Sequence, residues 1–413
     1  MLQFRNCYLM WSIFTLAELR AGLCHIALII LWALLFLRLD CGSVFSWTLF
    51  LSYTIAMFFF QRRLASGLPL RFASLRAWRT SPDNFRKTSS FLKAIKAKEF
   101  PAKDISAEGY GEHPVAVITG GERGIGRQVV EQLLREKMDV ILCCPFEEVA
   151  QDTIRKLKAS VPGARVAFLK LNLNDEDSVR QCAANILSMT PRIDVLVNNA
   201  GMLNIIGYKA NKRGNEVVLA INFLGHVLLT ELLLDCLKAS GPSRIVNVAS
   251  LMELNACIPG PCKTPLDALI TNCDPHSPYH TSNYCLSKLL LVCYTRDLAQ
   301  RLKGTAIQVV SLHPGVVLTN IYHVGAFFMK LMLRTVFKFP GEGAEVVLYC
   351  ALADTIQSGS FYADCRLYDS VVSPLALDST HNARLRRVLH RYFGLDGSPS
   401  STMSLPQVAA ATP

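Results

Sequence analysis

At 413 residues and a formal net charge of +11, the chain is long enough to bury one large core or two ordinary ones. Its hydrophobic content of 51% is slightly high for a soluble protein, and the excess lies near the N-terminus. Fourteen cysteines over this length exclude a disulfide scaffold, and no Asn-x-Ser/Thr sequon occurs, so the chain reads as cytosol-facing and reduced.

Residues 21–37 and 41–60 hold no Asp, Glu, Lys or Arg. A spanning helix needs about 20 apolar residues, and both runs qualify. Only Arg38, Leu39 and Asp40 separate them, so residues 1–60 are expected to form a transmembrane or hairpin membrane anchor. A cleaved signal peptide is the competing reading. Two successive apolar runs without a convincing small-x-small site weigh against it. Residues 7–17, cut short by Glu18 and Arg20, read as an interfacial segment.

Residues 61–112 read as a basic juxtamembrane linker. Between Gln61 and Lys98 stand ten Lys or Arg against one acid, Asp83. Such a cluster after a span favours the cytoplasmic side and attracts anionic headgroups. Because it abuts the apolar runs, no nucleic-acid partner is expected.

From about 113 to 394 short apolar runs alternate with helix-length periodic ones. Strands are expected at 115–119, 140–144, 166–171, 195–197, 244–248 and 307–312, with helices at 125–136, 147–160, 175–189, 215–239 and 283–303. That alternation predicts repeated βαβ units, an α/β domain with a doubly wound parallel sheet of the Rossmann type. Residues 395–413, low in charge and rich in small residues, are expected to be a disordered tail. Cys257, Cys262 and Cys273 share one loop, and Cys273 and His276 are spaced as a metal could use. Cys257 and Cys262 are five apart, however, so the second tight ligand pair of a zinc site is missing and no metal is expected.

A dinucleotide pyrophosphate needs close backbone approach and a helix N-terminus facing it. Gly120, Gly124 and Gly126 follow a strand and open a helix, in the spacing Gly-x-x-x-Gly-x-Gly. Farther on, Tyr284 and Lys288 lie one helical turn apart on one face. A tyrosine with a reference pKa of about 10 is a poor base near neutrality. A cation beside it can lower that value by roughly 1–3 units. Each residue taken alone has a plainer reading: a turn glycine, a helix-surface tyrosine, a solvated lysine.

The glycine motif, Asn198-Asn-Ala-Gly201, Asn222, Ser250, Tyr284 with Lys288, and His313-Pro-Gly-Val-Val317 fall in one order. That order resembles the short-chain dehydrogenase/reductase family over about 113–365, nearest its membrane-anchored, retinol-dehydrogenase-like branch. The resemblance implies a catalytic set of Asn222, Ser250, Tyr284 and Lys288. Tyr284 would be the proton donor or acceptor, Lys288 would depress its pKa and hold the nicotinamide ribose, Ser250 would steady the substrate oxygen, and Asn222 would hold a relay water. It implies cofactor contacts at Gly120, Arg123, Gly124, Ile125, Gly126, Asn172, Asn199, Ala200, Gly201, Tyr284, Lys288, Pro314, Gly315, Val317 and Thr319. Arg123 resembles the basic residue used against a 2′-phosphate, and no acid ends the second strand, so NADP is expected, with NAD the alternative. Two departures stand out: Pro145 follows Cys144 where the branch has Arg, and Asn172 stands for the usual Asp beside the adenine.

The implied function is NAD(P)-dependent interconversion of a lipid alcohol (retinoid, prenol or sterol) and its aldehyde or ketone. The competing reading is a membrane-bound, non-catalytic cofactor-binding scaffold. Residues 254–280 lengthen the gap between Ser250 and Tyr284 and are expected as an insertion near the site mouth. Apolar residues among cations over 321–339 suggest an interfacial helix covering the substrate, or an ordinary core helix. Homodimerisation through the helices at 215–239 and 283–303, and an endoplasmic-reticulum membrane with a cytosol-facing domain, follow from the resemblance; a lipid droplet is reachable by a hairpin.

Overall fold

Residues 89–98, 110, 112–203, 209–256, 282–315, 317 and 338–396 are described by a computed structural model. The apolar runs become strands because both faces of each can be covered. β1 (Val115–Thr119), β2 (Asp139–Cys144), β4 (Val195–Asn198) and β5 (Ser243–Val248) are buried at every position, as expected of parallel strands between two helical layers. With β3 (Val166–Lys170), β6 (Ile307–His313), β7 (Phe361–Ala363) and β8 (Arg366–Leu367) they form one sheet in the order β3-β2-β1-β4-β5-β6-β7-β8. Every pairing is parallel except β7–β8. That terminal hairpin turns at Asp364 and Cys365, both at positive φ (49° and 57°), the backbone hand that suits a tight hairpin.

Alternate residues of β1 separate the two cores. Val115 and Val117 enter one cluster with α4 (Glu176–Met189), α5 (Gly225–Ala239) and α6 (Ser282–Arg301). Ala116 and Ile118 enter the other with α1 (Ser90–Ala97), α2 (Gly124–Arg135), α3 (Glu147–Ser160) and α7 (Pro340–Leu352). The strand order reverses between β1 and β4, and a crevice at the carboxyl ends of those strands is where α/β sheets bind ligands.

The expected elements appear at or within about two residues of their places, with three differences. First, the span 215–239 is a short helical turn (Val217–Leu219), a π-helix (Ala220–Leu224) and then α5. Although Val217–Ala239 is long and apolar enough to cross a membrane, 78% of its apolar window is buried inside the domain, as in a core helix.

Second, the segment expected as a linker up to residue 112 contains α1, which packs on the domain. Leu92 and Ile95 are buried in the second core. Ser89 caps the helix by accepting from the Leu92 N–H and donates to the Leu352 carbonyl. Asp354 accepts from the N–H groups of Ser90 and Phe91. The Arg244 guanidinium stacks 4.1 Å from the Phe91 ring centroid. A net basic charge conceals this helix in the sequence, because only two of its residues face inward.

Third, the C-terminal part adds α7, α8 (Pro374–Leu377) and α9 (Ser379–Phe393). α9 lies against α6, and residues 285–295 of α6 are all buried within the one chain. The anchor 1–60, Thr319, most of the insertion 254–280, nearly all of 321–339 and the tail beyond Asp396 lie outside the described residues.

Candidate active site

β1 ends in a turn that side chains cannot enter. Gly120 and Gly124 have φ of +66° and +57°, a region that L residues with a Cβ avoid. A Cβ on Gly126 would stand 2.2 Å from the Gly120 carbonyl oxygen and 2.6 Å from Asn199 Nδ2, and one on Gly120 would stand 2.9 Å from Ala200 Cα. The glycine turn therefore packs backbone to backbone on the Asn199–Ala200 turn after β4, at the switch point. Asn199 Nδ2 donates to the carbonyls of Thr119 (2.9 Å) and Gly120 (3.0 Å). α2 begins at Gly124, so its free N–H groups face this crevice, an arrangement suited to a pyrophosphate. Ile125, Val317 and Gly343 meet there: a Cβ on Gly343 would come within 2.7 Å of Val317 and 3.2 Å of Ile125.

Arg123 precedes α2, is half exposed, bonds Glu122 at 3.0 Å and sits 5.2 Å over the Phe146 ring, just past β2. Glu122 is buried at 5% exposure beside Cys144. Burial first, and then that carboxylate, push the Cys144 thiol up to about 12. Asn172 does not reach outward: its Oδ1 accepts from the Asn174 N–H, and its own N–H goes to Ser178. Gly315 turns at φ +90° directly against Lys338, whose ammonium pairs with Asp364. His313, closing β6, is held neutral, its pKa lowered to about 3 by burial and then by Lys338.

The four residues expected to act together come from three elements. Asn222 lies in the π-helix, a local rewinding that recurs at functional sites. Its Oδ1 accepts from the Met202 N–H (2.9 Å), and its Nδ2 donates to the Met202 carbonyl (3.0 Å) and to Ser287 Oγ (3.2 Å). Ser250 lies two residues past β5 and caps the turn Leu251–Asn255 by accepting from the Met252 N–H. Tyr284 and Lys288 occupy the first two turns of α6, with Lys288 Nζ 5.6 Å from the Tyr284 ring centroid.

Lys288 is 4% exposed and donates to the Val248 carbonyl at 2.8 Å. Burial lowers its pKa to about 8, so it stays largely charged at pH 7. A Cβ on Gly201 would be 3.6 Å from both Asn222 Oδ1 and Lys288 Nζ, so β4's exit, the π-helix and α6 converge there. Thus Gly201, Asn222 and Lys288 are brought together at the carboxyl edge of the sheet, with Ser250 just past the neighbouring strand β5. Asn172 is engaged in its own turn instead.

Sequence reasoning missed four residues of this network: Thr119, Glu122, His226 and Ser287. His226 stands one helical turn after Asn222, a spacing that offered the one signal. Among the described residues no three His, Cys, Asp or Glu side chains gather as a metal site.

The family profile described as short chain dehydrogenase matches residues 114–262. Retinol dehydrogenase 12 of Bos taurus is 33% identical over 288 residues, covering 68% of this chain and 86% of that protein. Retinol dehydrogenase 11 of Homo sapiens is 33% identical over 286 residues with the same coverage. Retinol dehydrogenase 13 of Mus musculus is 32% identical, covering 70% of this chain and 88% of its own length. Among solved structures, an uncharacterised protein from Mycobacterium paratuberculosis matches with a TM-score of 0.54 at 25% identity, covering 72% of this chain and 98% of that one.

Proposed function

The chain belongs to the short-chain dehydrogenase/reductase family and is an NAD(P)-dependent oxidoreductase acting on alcohols, and from that premise we propose that its substrate is a lipid alcohol or the matching carbonyl, with Tyr284 as the general acid/base. The observation carrying this reading is the buried Lys288 cation beside the Tyr284 ring, joined at one point by Asn222. The residues fit a nicotinamide dinucleotide, because the Gly120–Gly126 turn is cleared of side chains where backbone must approach it. When bound, that cofactor supplies or accepts the hydride.

In the reductive direction Tyr284 gives its hydroxyl proton to the developing alkoxide, and in the oxidative direction it takes the proton from the alcohol. Lys288 stabilises the phenolate by charge and would hold the nicotinamide ribose when the cofactor is bound. Ser250 donates to the substrate oxygen where negative charge develops. Asn222 keeps its side chain on Met202, and one lone pair of its carbonyl holds a relay water. Arg123, stacked on Phe146, would hold a 2′-phosphate, which favours NADP; its guanidinium presents several donors.

The retinol dehydrogenase names of the relatives and the apolar runs at 21–37 and 41–60 support a membrane-partitioned substrate: a retinoid, prenol or sterol. The same runs with the basic segment after them support a membrane anchor and a cytosol-facing domain; the retinol-dehydrogenase-like relatives favour an endoplasmic-reticulum location. The test is turnover by the full-length protein in detergent with NADPH and NADP against those three lipid classes, with Tyr284→Phe in parallel. Wild-type turnover should fall by about 100-fold or more in the variant. Turnover that survives Tyr284→Phe refutes its role, and cofactor binding without turnover of any lipid refutes the substrate class.

A further inference from the structure

The reading just given uses neither Thr119 nor His226, yet these two buried residues connect both halves of the site. Thr119 ends β1. Its Oγ1 lies 2.9 Å from the Asn199 N–H nitrogen, 3.0 Å from that of Ala200 and 2.9 Å from His226 Nε2. A hydroxyl has two acceptor lone pairs and one proton. Both backbone N–H groups take the lone pairs, so the Thr119 proton goes to Nε2. That makes Nε2 the acceptor and puts the ring proton on Nδ1, which lies 3.2 Å from the Asn222 carbonyl and donates to it. Burial lowers the His226 pKa to about 3, against the lift from the Asn222 carbonyl and with the nearby Lys288 cation pushing the same way. The ring is neutral at any working pH, and its tautomer is set by its neighbours.

The Asn222 end explains why such a donor is useful. In a regular α-helix each carbonyl is taken by the N–H four residues on. Here the chain is wound as a π-turn, with the Gly225 N–H reaching the Ala220 carbonyl. The imidazole N–H supplies a bond to the Asn222 carbonyl from the side chain.

We propose that His226 is a positioning residue that couples the cofactor cradle to the relay asparagine through its two ring nitrogens. This inference rests on the proposed roles of Asn222 and the glycine turn. Through Thr119 it fixes the Asn199–Ala200 turn, which in turn holds the Gly120 carbonyl. Through Nδ1 it fixes the direction of the Asn222 carbonyl, whose side chain leads by Ser287 to the helix of Tyr284 and Lys288. A satisfied core histidine without this role is the competing outcome.

Two substitutions separate the arms in the full-length protein. His226→Asn keeps an amide N–H near Nδ1 and gives up the Thr119 contact. His226→Gln reaches toward Thr119 and gives up the bond to the Asn222 carbonyl. Cofactor Kd is read by fluorescence with NADPH, and kcat is read across pH 6–10 with the substrate found above. Losing one neutral hydrogen bond, at about 1 kcal/mol, is about a fivefold effect. His226→Asn should weaken NADPH about fivefold while losing less in kcat. His226→Gln should do the reverse, losing about fivefold in kcat and shifting the inflection of its pH profile.

Equal losses on both measures in both variants, or wild-type values with only a lowered Tm, overturn the proposal and leave a packed core histidine. A wild type that binds NADPH but turns over no lipid refutes the substrate reading instead. The Kd arm then still judges His226: unchanged affinity in His226→Asn overturns it.

Discussion

Replacing Arg192 by alanine should unfasten the amino edge of the sheet. The Arg192 side chain is 0% exposed and its guanidinium is used on every side. Nε donates to Asp194 Oδ2 (2.9 Å), and Nη2 donates to Asp194 Oδ1 (2.6 Å) and to the Ile95 carbonyl (2.8 Å). Nη1 donates to the Lys98 carbonyl at 3.0 Å. Asp194 also accepts from the Val115 N–H at 2.7 Å, so one ion pair ties α1 to the starts of β1 and β4. Burial raises the Asp194 pKa, and the Arg192 contacts oppose that rise.

Removing the arginine strands a buried carboxylate, which costs about 3–5 kcal/mol. For a domain of this size that corresponds to a fall in Tm of about 5–8 °C. The assays are thermal unfolding and limited proteolysis, with new cleavage expected in 90–98. Arg192→Met combined with Asp194→Asn removes both charges and should recover much of the loss. A Tm within 2 °C of wild type, or no new cleavage, refutes the clamp.

Four further outcomes follow from the geometry. Gly126→Ala places a Cβ 2.2 Å from the Gly120 oxygen, so NADPH affinity should fall at least tenfold, at about 1.4 kcal/mol per decade; unchanged affinity would show the turn is not the pyrophosphate site. Lys288 loses its proton as pH rises through about 8, so the KM for cofactor should climb above that pH, and Lys288→Arg, charged throughout, should lack the inflection. Burial would raise the Glu231 carboxyl, but Arg301, His390 and Tyr294 outweigh it and hold the pKa at about 2. Because its folded pKa lies below the unfolded value of 4.5, the pair's contribution, about 3 kcal/mol, is present above pH 4.5 and lost as pH falls toward 2; urea unfolding of Glu231→Gln should show a shallower acid loss than wild type. Deleting residues from Ser379 onward uncovers α6, and sedimentation should then report more self-association than for the intact chain.

The strands and the helices between them were legible because a parallel sheet writes itself as uninterrupted apolar runs, and the glycine turn was legible because backbone contact leaves glycine as the fitting residue. Several features were not. The π-turn at Ala220–Leu224 is composed of ordinary helix formers, so its register comes from tertiary bonds of Asn222 to Met202 and Ser287. α1 hides because two buried residues, Leu92 and Ile95, are too few to mark a stripe among lysines. α9 carries six Arg or His residues over fifteen positions and reads as a solvated face. What it buries is the stripe Leu385, Leu389 and Tyr392 with Phe393, flanked by Arg386 on Asp297 and His390 toward Glu231. For Asn172 the sequence marked a departure, and its bonds to its own turn are the physical form of it. In both helices a short apolar set stands among charged residues.

The two edges of the sheet solve opposite problems, which bears on why a neutral histidine sits at position 226. At the amino edge a buried ion pair is tolerable because Arg192 and Asp194 meet within hydrogen-bond distance. At the carboxyl edge the proposed chemistry needs Lys288 to stay a cation while buried against a carbonyl, and burial alone already brings it to about 8. A second cation at 226 would repel it and push that value lower, through the range where Tyr284 needs the charge. A carboxylate there would raise it, at the cost of neutralising the charge that the phenolate requires. An imidazole held neutral by burial satisfies Thr119 and Asn222 through one acceptor and one donor and adds no net charge beside Lys288. The histidine thus supplies hydrogen-bond direction at a place where the electrostatics leave room for one charge.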